Sequence, residues 1–154
     1  MGPVAVRRAE AADAVEVARL LHDFNSEYED HTPGVEALAG HYRELLGAGE
    51  LIVLLAGEGP DGFCQFRFRR SHYTGLPDAQ IEELYVVPRL RGRGIGRSLL
   101  ETTIDLAREA GANHIELTTG EDDLGARSLY ESAGFTNREG EPDGPRMLYY
   151  EREL

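Results

Sequence analysis

The sequence predicts a mixed α/β domain, a central mixed sheet flanked by about four helices. Three observations point there. Segments of helical period alternate with segments of strand period along the 154 residues. A compact apolar run at 51–56 is followed by a Gly/Pro turn and an alternating segment, the pattern of a hairpin. A strand at 81–87 then passes through a glycine-rich turn into a long amphipathic stretch.

Taken in order, Val4-Ala5-Val6-Arg7 reads as an opening strand. Residues 13–24 place Val17, Leu20, Leu21 and Phe24 on one helical face behind Asp13. Residues 25–34 are polar and end in Pro33-Gly34, hence a loop; 35–46 form a second helix. After the strand at 51–56 and the turn at 57–62, Phe63, Gln65, Arg67 and Arg69 alternate with Cys64, Phe66 and Phe68, predicting a half-buried strand. Leu99, Leu100, Thr103, Ile104, Leu106 and Ala107 make the apolar stripe of a helix opening at Ile95 and ending near Gly111. A strand at 114–119, a helix at 123–133 and a closing strand over Met147-Leu148-Tyr149-Tyr150 complete one domain spanning 1–154.

Composition bounds the function. Apolar residues make up 41% and charged residues 29%, values of an ordinary folded domain. No apolar run reaches the ~18–20 residues of a membrane span, and residues 1–8 lack the pattern of a signal peptide. One cysteine, Cys64, forms no internal disulfide. A cytoplasmic location and no membrane partner are therefore expected. The five histidines are scattered without ligand spacing, so no metal site is expected. The net charge of −12 repels nucleic acid and favours cationic small molecules or basic peptides. Within this acidic chain Arg89, Arg91, Arg93 and Arg97 cluster, which suits a polyanionic ligand.

Arg91-Gly92-Arg93-Gly94-Ile95-Gly96 lies where that ligand would bind. Glycines let backbone N–H groups approach closely, and the helix start adds donors and partial positive charge. A dinucleotide fingerprint fails, because its third glycine is Arg97 or Leu99 in the two registers. A P-loop fails because the chain contains no lysine.

The stretch 81–100 resembles the central motif of the GNAT N-acetyltransferases: Arg91, Gly94 and Gly96 meet its signature, as do Arg89, Gly92 and Gly94 in an offset register. Ala126-Arg127-Ser128-Leu129-Tyr130, continuing to Gly134-Phe135, is similar to the family's second motif. The resemblance covers roughly residues 4 to 153 and implies acetyl-CoA as cofactor. By resemblance, Leu84, Tyr85, Val86 and Val87 pair with the pantetheine arm, beside a parallel strand at 115–119. A β-bulge aims an N–H at the thioester oxygen, with Val86 the expected donor. Pyrophosphate is implied on Arg91, Gly92, Arg93, Gly94, Ile95, Gly96, Arg97 and Ser98, with Arg127 near the phosphates. Asp123 stands where the family often has Asn beside the pantetheine.

Catalysis needs a base for the amine and an acid for the leaving thiolate. Glu82 and Glu83 are the candidate bases, expected on opposite faces of their strand, with Glu82 preferred by resemblance to polyamine-type enzymes. Tyr130 is the candidate acid. Glu27, Asp30 and Asp122 are candidate contacts for a cationic amine. The expected activity is acetyl transfer to a primary amine of a small polyamine- or aminoglycoside-like molecule. A protein lysine or N-terminus, or a non-catalytic acetyl-CoA sensor, are the alternatives. The resemblance also implies homodimers as one form, with the closing strand or an exposed sheet edge as contact.

Overall fold

The computed structural model describes residues 4–154; Met1, Gly2 and Pro3, part of the segment read against a leader, lie outside it. The chain divides into two compact units, one running through Ile115 and one over Glu116–Leu154. No helix among the described residues is long and apolar enough to cross a membrane.

The first unit carries β1 (Val6–Arg8), α1 (Ala14–Glu27), α2 (Val35–Gly47), β2 (Ile52–Ala56), β3 (Gly62–Arg70), β4 (Pro77–Val86) and α3 (Ile95–Glu109). β5 (Ile115–Glu116) follows, and α4 (Leu124–Ser132) belongs to the second unit. The sheet order is β1-β2-β3-β4-β5, with β1 through β4 antiparallel in turn. At the far edge the Ala79 amide donates to the His114 carbonyl. The predicted fold class, a mixed sheet with four α-helices, is what forms.

β3 is not half-buried at its start, as alternation predicted. Phe63, Cys64, Gln65 and Phe66 are all buried, because helices cover both faces. On one face Val17 and Leu20 of α1 and Ala39 and Tyr42 of α2 pack on Val53, Leu55, Phe63 and Tyr85. On the other, α3 brings Leu99, Leu100 and Thr103, whose hydroxyl donates to Cys64 Sγ. Each such fully buried Leu or Phe stabilises the fold by roughly 1.5–3 kcal/mol. Burial pushes the Cys64 thiol up to about 12, so it is an inert core residue. Gly62 has a steric reason: a Cβ there would come within 2.7 Å of the Tyr85 carbonyl oxygen on the neighbouring strand.

Four predicted elements change. The strand predicted at 81–87 begins earlier, at Pro77. α1 continues through Glu27 into the predicted loop, since Asn25, Ser26 and Glu27 carry no breaker. The strand predicted at 114–119 shrinks to Ile115–Glu116. The closing strand at 147–150 does not form. The Met147 amide finds the Asn137 carbonyl, but no ladder follows, and the side chains are 53–84% exposed. β-propensity without a partner strand does not make a strand.

The entry to α1 is tied back to β1. Arg7 donates twice to Asp13, at 2.9 Å each, and the Glu10 amide donates to Asp13 at 2.8 Å. The Arg7 hydrogen bonds, then that amide, hold the Asp13 carboxyl down at about 2. Its folded value lies below its unfolded one. Its stabilisation is therefore complete above about pH 4 and is lost as pH falls toward 2. Asp13→Asn is expected to cost about 1 kcal/mol at pH 7, discounted because Arg7 is 58% exposed. Urea unfolding of both proteins at pH 7 and pH 2.5 checks this, with the gap narrowing at the lower pH.

Candidate active site

β4 carries most of the candidate chemistry, and its register is broken once. Gln65 of β3 pairs with Glu83 and Phe66 pairs with Ile81, leaving Glu82 as the extra residue of a β-bulge. The predicted opposite facing of Glu82 and Glu83 is therefore incorrect. Directly paired residues share a face, so Glu83 projects with Gln65. Glu82 reaches the same face, since it accepts from Gln65 Nε2 at 2.9 Å and from Arg67 Nε at 2.9 and 3.0 Å. The expected bulge exists on this strand, but at Glu82 and well before Val86, which stays paired with Gly62.

Two carboxylates now crowd one surface under α2. The buried Tyr42 hydroxyl donates to Gln65 Oε1 at 2.5 Å, and burial together with the charges of Glu83 and Glu82 drives its own ionisation far above the ordinary range. Glu82 has its hydrogen bonds and a cation. Glu83 has burial and a like charge, which together push its carboxyl up to about 7. A half-buried carboxyl with its proton affinity near neutral pH has the property that amine deprotonation calls for.

Past Val86 the strand leads through a single 3-10 turn at Pro88–Leu90 to the glycine turn. Gly92 and Gly94 have φ of +76° and +85°, left-handed values that explain glycine at both. Helical bonding in α3 begins with the Ser98 amide on the Gly94 carbonyl, so the Ile95 and Gly96 amides precede the ladder. No heavy atom lies within 4 Å of where a Cβ would stand at Gly92 or Gly94, and Arg93 and Gly94 are exposed. The open turn, its amides and its arginine fit a pyrophosphate.

Arg91 is committed elsewhere. Its Nε donates to the Val86 carbonyl at 2.9 Å, its terminal nitrogen binds Glu27 Oε1 at 2.8 Å, and its guanidinium lies 5.6 Å from the Tyr85 ring centre. Thus Arg91 and Glu27, read from sequence as cofactor and acceptor contacts, hold each other. Arg97 approaches Glu101 along α3 at 4.0 Å. Tyr85 is buried, stacked on Phe24 at 4.9 Å, while Leu84 pairs with Cys64 on the α3 face. The Val87 amide donates to the Asp61 carbonyl.

A cavity of about 650 Å³ opens beside this latch, lined among others by Asp23, Glu27, Asp61, Tyr85 and Arg89. Glu83 is not among its lining residues. Asp30 is exposed at the end of α1.

In the second unit, Asp123 caps α4 through the Ala126 amide at 3.1 Å. Arg127 donates to the Glu121 carbonyl and lies 3.7 Å from Glu131. Tyr130 is buried, its ring 5.9 Å from that of Phe135, and Asp122 is exposed.

Sequence reasoning missed Tyr42, Gln65 and Arg67. Gln65 and Arg67 were visible as the polar side of an alternating strand, but nothing local shows that this side meets Glu82.

The model of the acetyltransferase (GNAT) family matches residues 15–135. An aminoglycoside N(6')-acetyltransferase type 1 of Stenotrophomonas maltophilia is 28% identical over 152 residues, 97% of this chain and 93% of that protein. A mycothiol acetyltransferase of Beutenbergia cavernae is 39% identical over 69 residues; the match spans 43% of this chain and only 23% of that protein. A crystal structure from Arthrobacter sp. FB24, described as an acetyltransferase, has 42% identity and a TM-score of 0.90, covering 100% of this chain and 98% of that one. Strand, bulge, glycine turn and helix thus occur within a matched segment running from α1 past α4, and the chain belongs to the GNAT family of N-acetyltransferases.

Proposed function

We propose that the chain moves an acetyl group from acetyl-CoA to the primary amine of a small cationic molecule, with Glu83 as the base. The observation that carries the reading is the β-bulge that sets the half-buried Glu83 carboxyl beside Glu82 on one face, where burial and the Glu82 charge push it up to about 7. An amine arrives largely as its ammonium and is no nucleophile until it loses a proton. A carboxylate whose proton affinity matches the working pH takes it with the least penalty. The choice of Glu83 over Glu82 rests on geometry. Glu82 already accepts three hydrogen bonds and pairs with Arg67.

Bound acetyl-CoA supplies an activated thioester. The chain's own part is to seat its pyrophosphate on the amides of Ile95 and Gly96 beside Arg93 and Arg97. The Leu84 to Val87 segment then orients the arm. Arg91 contributes by holding the Val86 carbonyl and the end of α1 in place, and is not a phosphate ligand in this reading. Tyr130 is, by resemblance, the proposed proton donor to the departing thiolate. A cationic acceptor fits the net charge of −12 and the paired carboxylates on β4. The aminoglycoside enzyme among its relatives supports the same class.

The test is release of free coenzyme thiol from acetyl-CoA across polyamines, aminoglycosides, amino acids and short peptides, with a no-acceptor control. Turnover confined to polyamines or aminoglycosides is the expected result. Turnover confined to peptides would replace the acceptor class.

A further inference from the structure

Glu82 is the extra residue of a bulge, and a bulge usually re-aims one side chain. Here it delivers a second carboxylate to a face that already holds one. Two adjacent acids on a partly buried face repel, so an arrangement that keeps them together needs fixed partners. Those partners are present and have no other evident task. Arg67 Nε contacts both Glu82 oxygens, Gln65 Nε2 binds one of them, and Gln65 is itself locked by the buried Tyr42 hydroxyl. Gln65 is 8% and Tyr42 4% exposed, so the Tyr42–Gln65 end of this chain of bonds is set in packed structure, and from it Glu82 and Arg67 reach toward solvent.

We propose that Glu82 is a positioning residue whose carboxylate, gripped by Arg67 and Gln65, holds a fixed negative charge against Glu83 and so sets the pH at which that base becomes competent. The inference rests on reading Glu83 as the base. The charged and titratable groups facing Glu83 are Tyr42 from α2, Arg67 from β3 and Glu82 on β4 itself. Burial acts first on Glu83 and the Glu82 charge second, and both favour its protonated form. Arg67 anchors Glu82 but does not cancel its influence on Glu83. The Tyr42–Gln65 arm has a directional role, since Gln65 spends its carbonyl on Tyr42 and must present its N–H to Glu82. An acid with no such anchors would swing toward solvent and away from its neighbour.

The test is carboxyl-carbon NMR titration of protein labelled at glutamate, in the absence of any ligand, with the Glu83 signal assigned by its loss in Glu83→Gln. In the wild-type protein Glu83 is expected to titrate near 7. In Glu82→Gln, which keeps the shape and removes the charge, that midpoint falls by about one unit. Glu82→Asp keeps the charge and returns the midpoint toward the wild-type value. Thermal melts confirm that each variant folds. A Glu83 midpoint equal in wild-type and Glu82→Gln proteins overturns the proposal, since a merely structural Glu82 would leave it unmoved. A Glu83→Gln enzyme of full activity would overturn the base reading instead, and is told apart because it leaves the titration comparison intact.

Discussion

Glu83→Gln lowers kcat/KM for acetyl transfer by about 10²- to 10⁴-fold, the range a positioned general base contributes. Glutamine has nearly the same shape, so a loss of this size is chemical and not a failure of packing. Stability provides the control, and its sign is fixed by the direction of the shift. The folded Glu83 carboxyl sits at about 7, above its ordinary value of 4.5. Between those values the folded state holds a proton that the unfolded chain has released. The contribution of Glu83 to stability is then greatest at low pH and falls as pH rises through 7. Glu83→Gln should accordingly unfold at a higher temperature than wild type at pH 8, with the difference shrinking toward pH 4. A variant that loses activity while gaining stability cannot be explained by misfolding. The wild-type kcat/KM should fall on the acid side of about 7 as the base is protonated. Unchanged turnover in Glu83→Gln would remove Glu83 from the mechanism.

The strand-to-helix turn was legible from sequence because its cause is local. A left-handed φ at Gly92 and Gly94 selects glycine whatever surrounds it, and the apolar stripe of α3 announces its period within a dozen residues. The position of the bulge was not legible. Whether Glu82 and Glu83 share a face depends on how β4 registers against β3, and a single extra residue reverses an inference drawn from alternation. The same non-local dependence hid Tyr42, which reads as one more apolar position of α2 until Gln65 is found beneath it. Arg91 shows a third kind of limit. Its place in the signature was plain, yet its side chain is drawn away by the Val86 carbonyl, the Tyr85 ring and Glu27 from an adjacent helix. The strand read from Ile81 begins earlier, at Pro77, a residue acceptable as the first of a strand.

Gly94→Asp weakens coenzyme A binding by roughly 30-fold, while Gly94→Asn changes it only a few-fold. The two variants impose nearly the same backbone strain. Gly94 sits at φ +85°, where Asn and Asp are the best tolerated of the side-chain-bearing residues, and a Cβ there meets nothing within 4 Å. They differ by one negative charge at the mouth of α3. For the free protein that charge is favourable, since an acid at a helix start complements the macrodipole by up to about 1 kcal/mol. For a bound pyrophosphate it is a like charge a few ångströms away, worth about 2 kcal/mol in this exposed setting. Stability and affinity are therefore predicted to move in opposite directions, which a general disruption of the turn cannot do. Calorimetric titration with coenzyme A at low salt and at 0.5 M salt measures both variants, and screening should narrow the gap between them. Equal affinities for Asp and Asn, in proteins that melt normally, would mean that the phosphates do not rest on this turn. The Ile95 and Gly96 amides, which precede the helical ladder, would then need another partner, because this helix start has no side-chain cap.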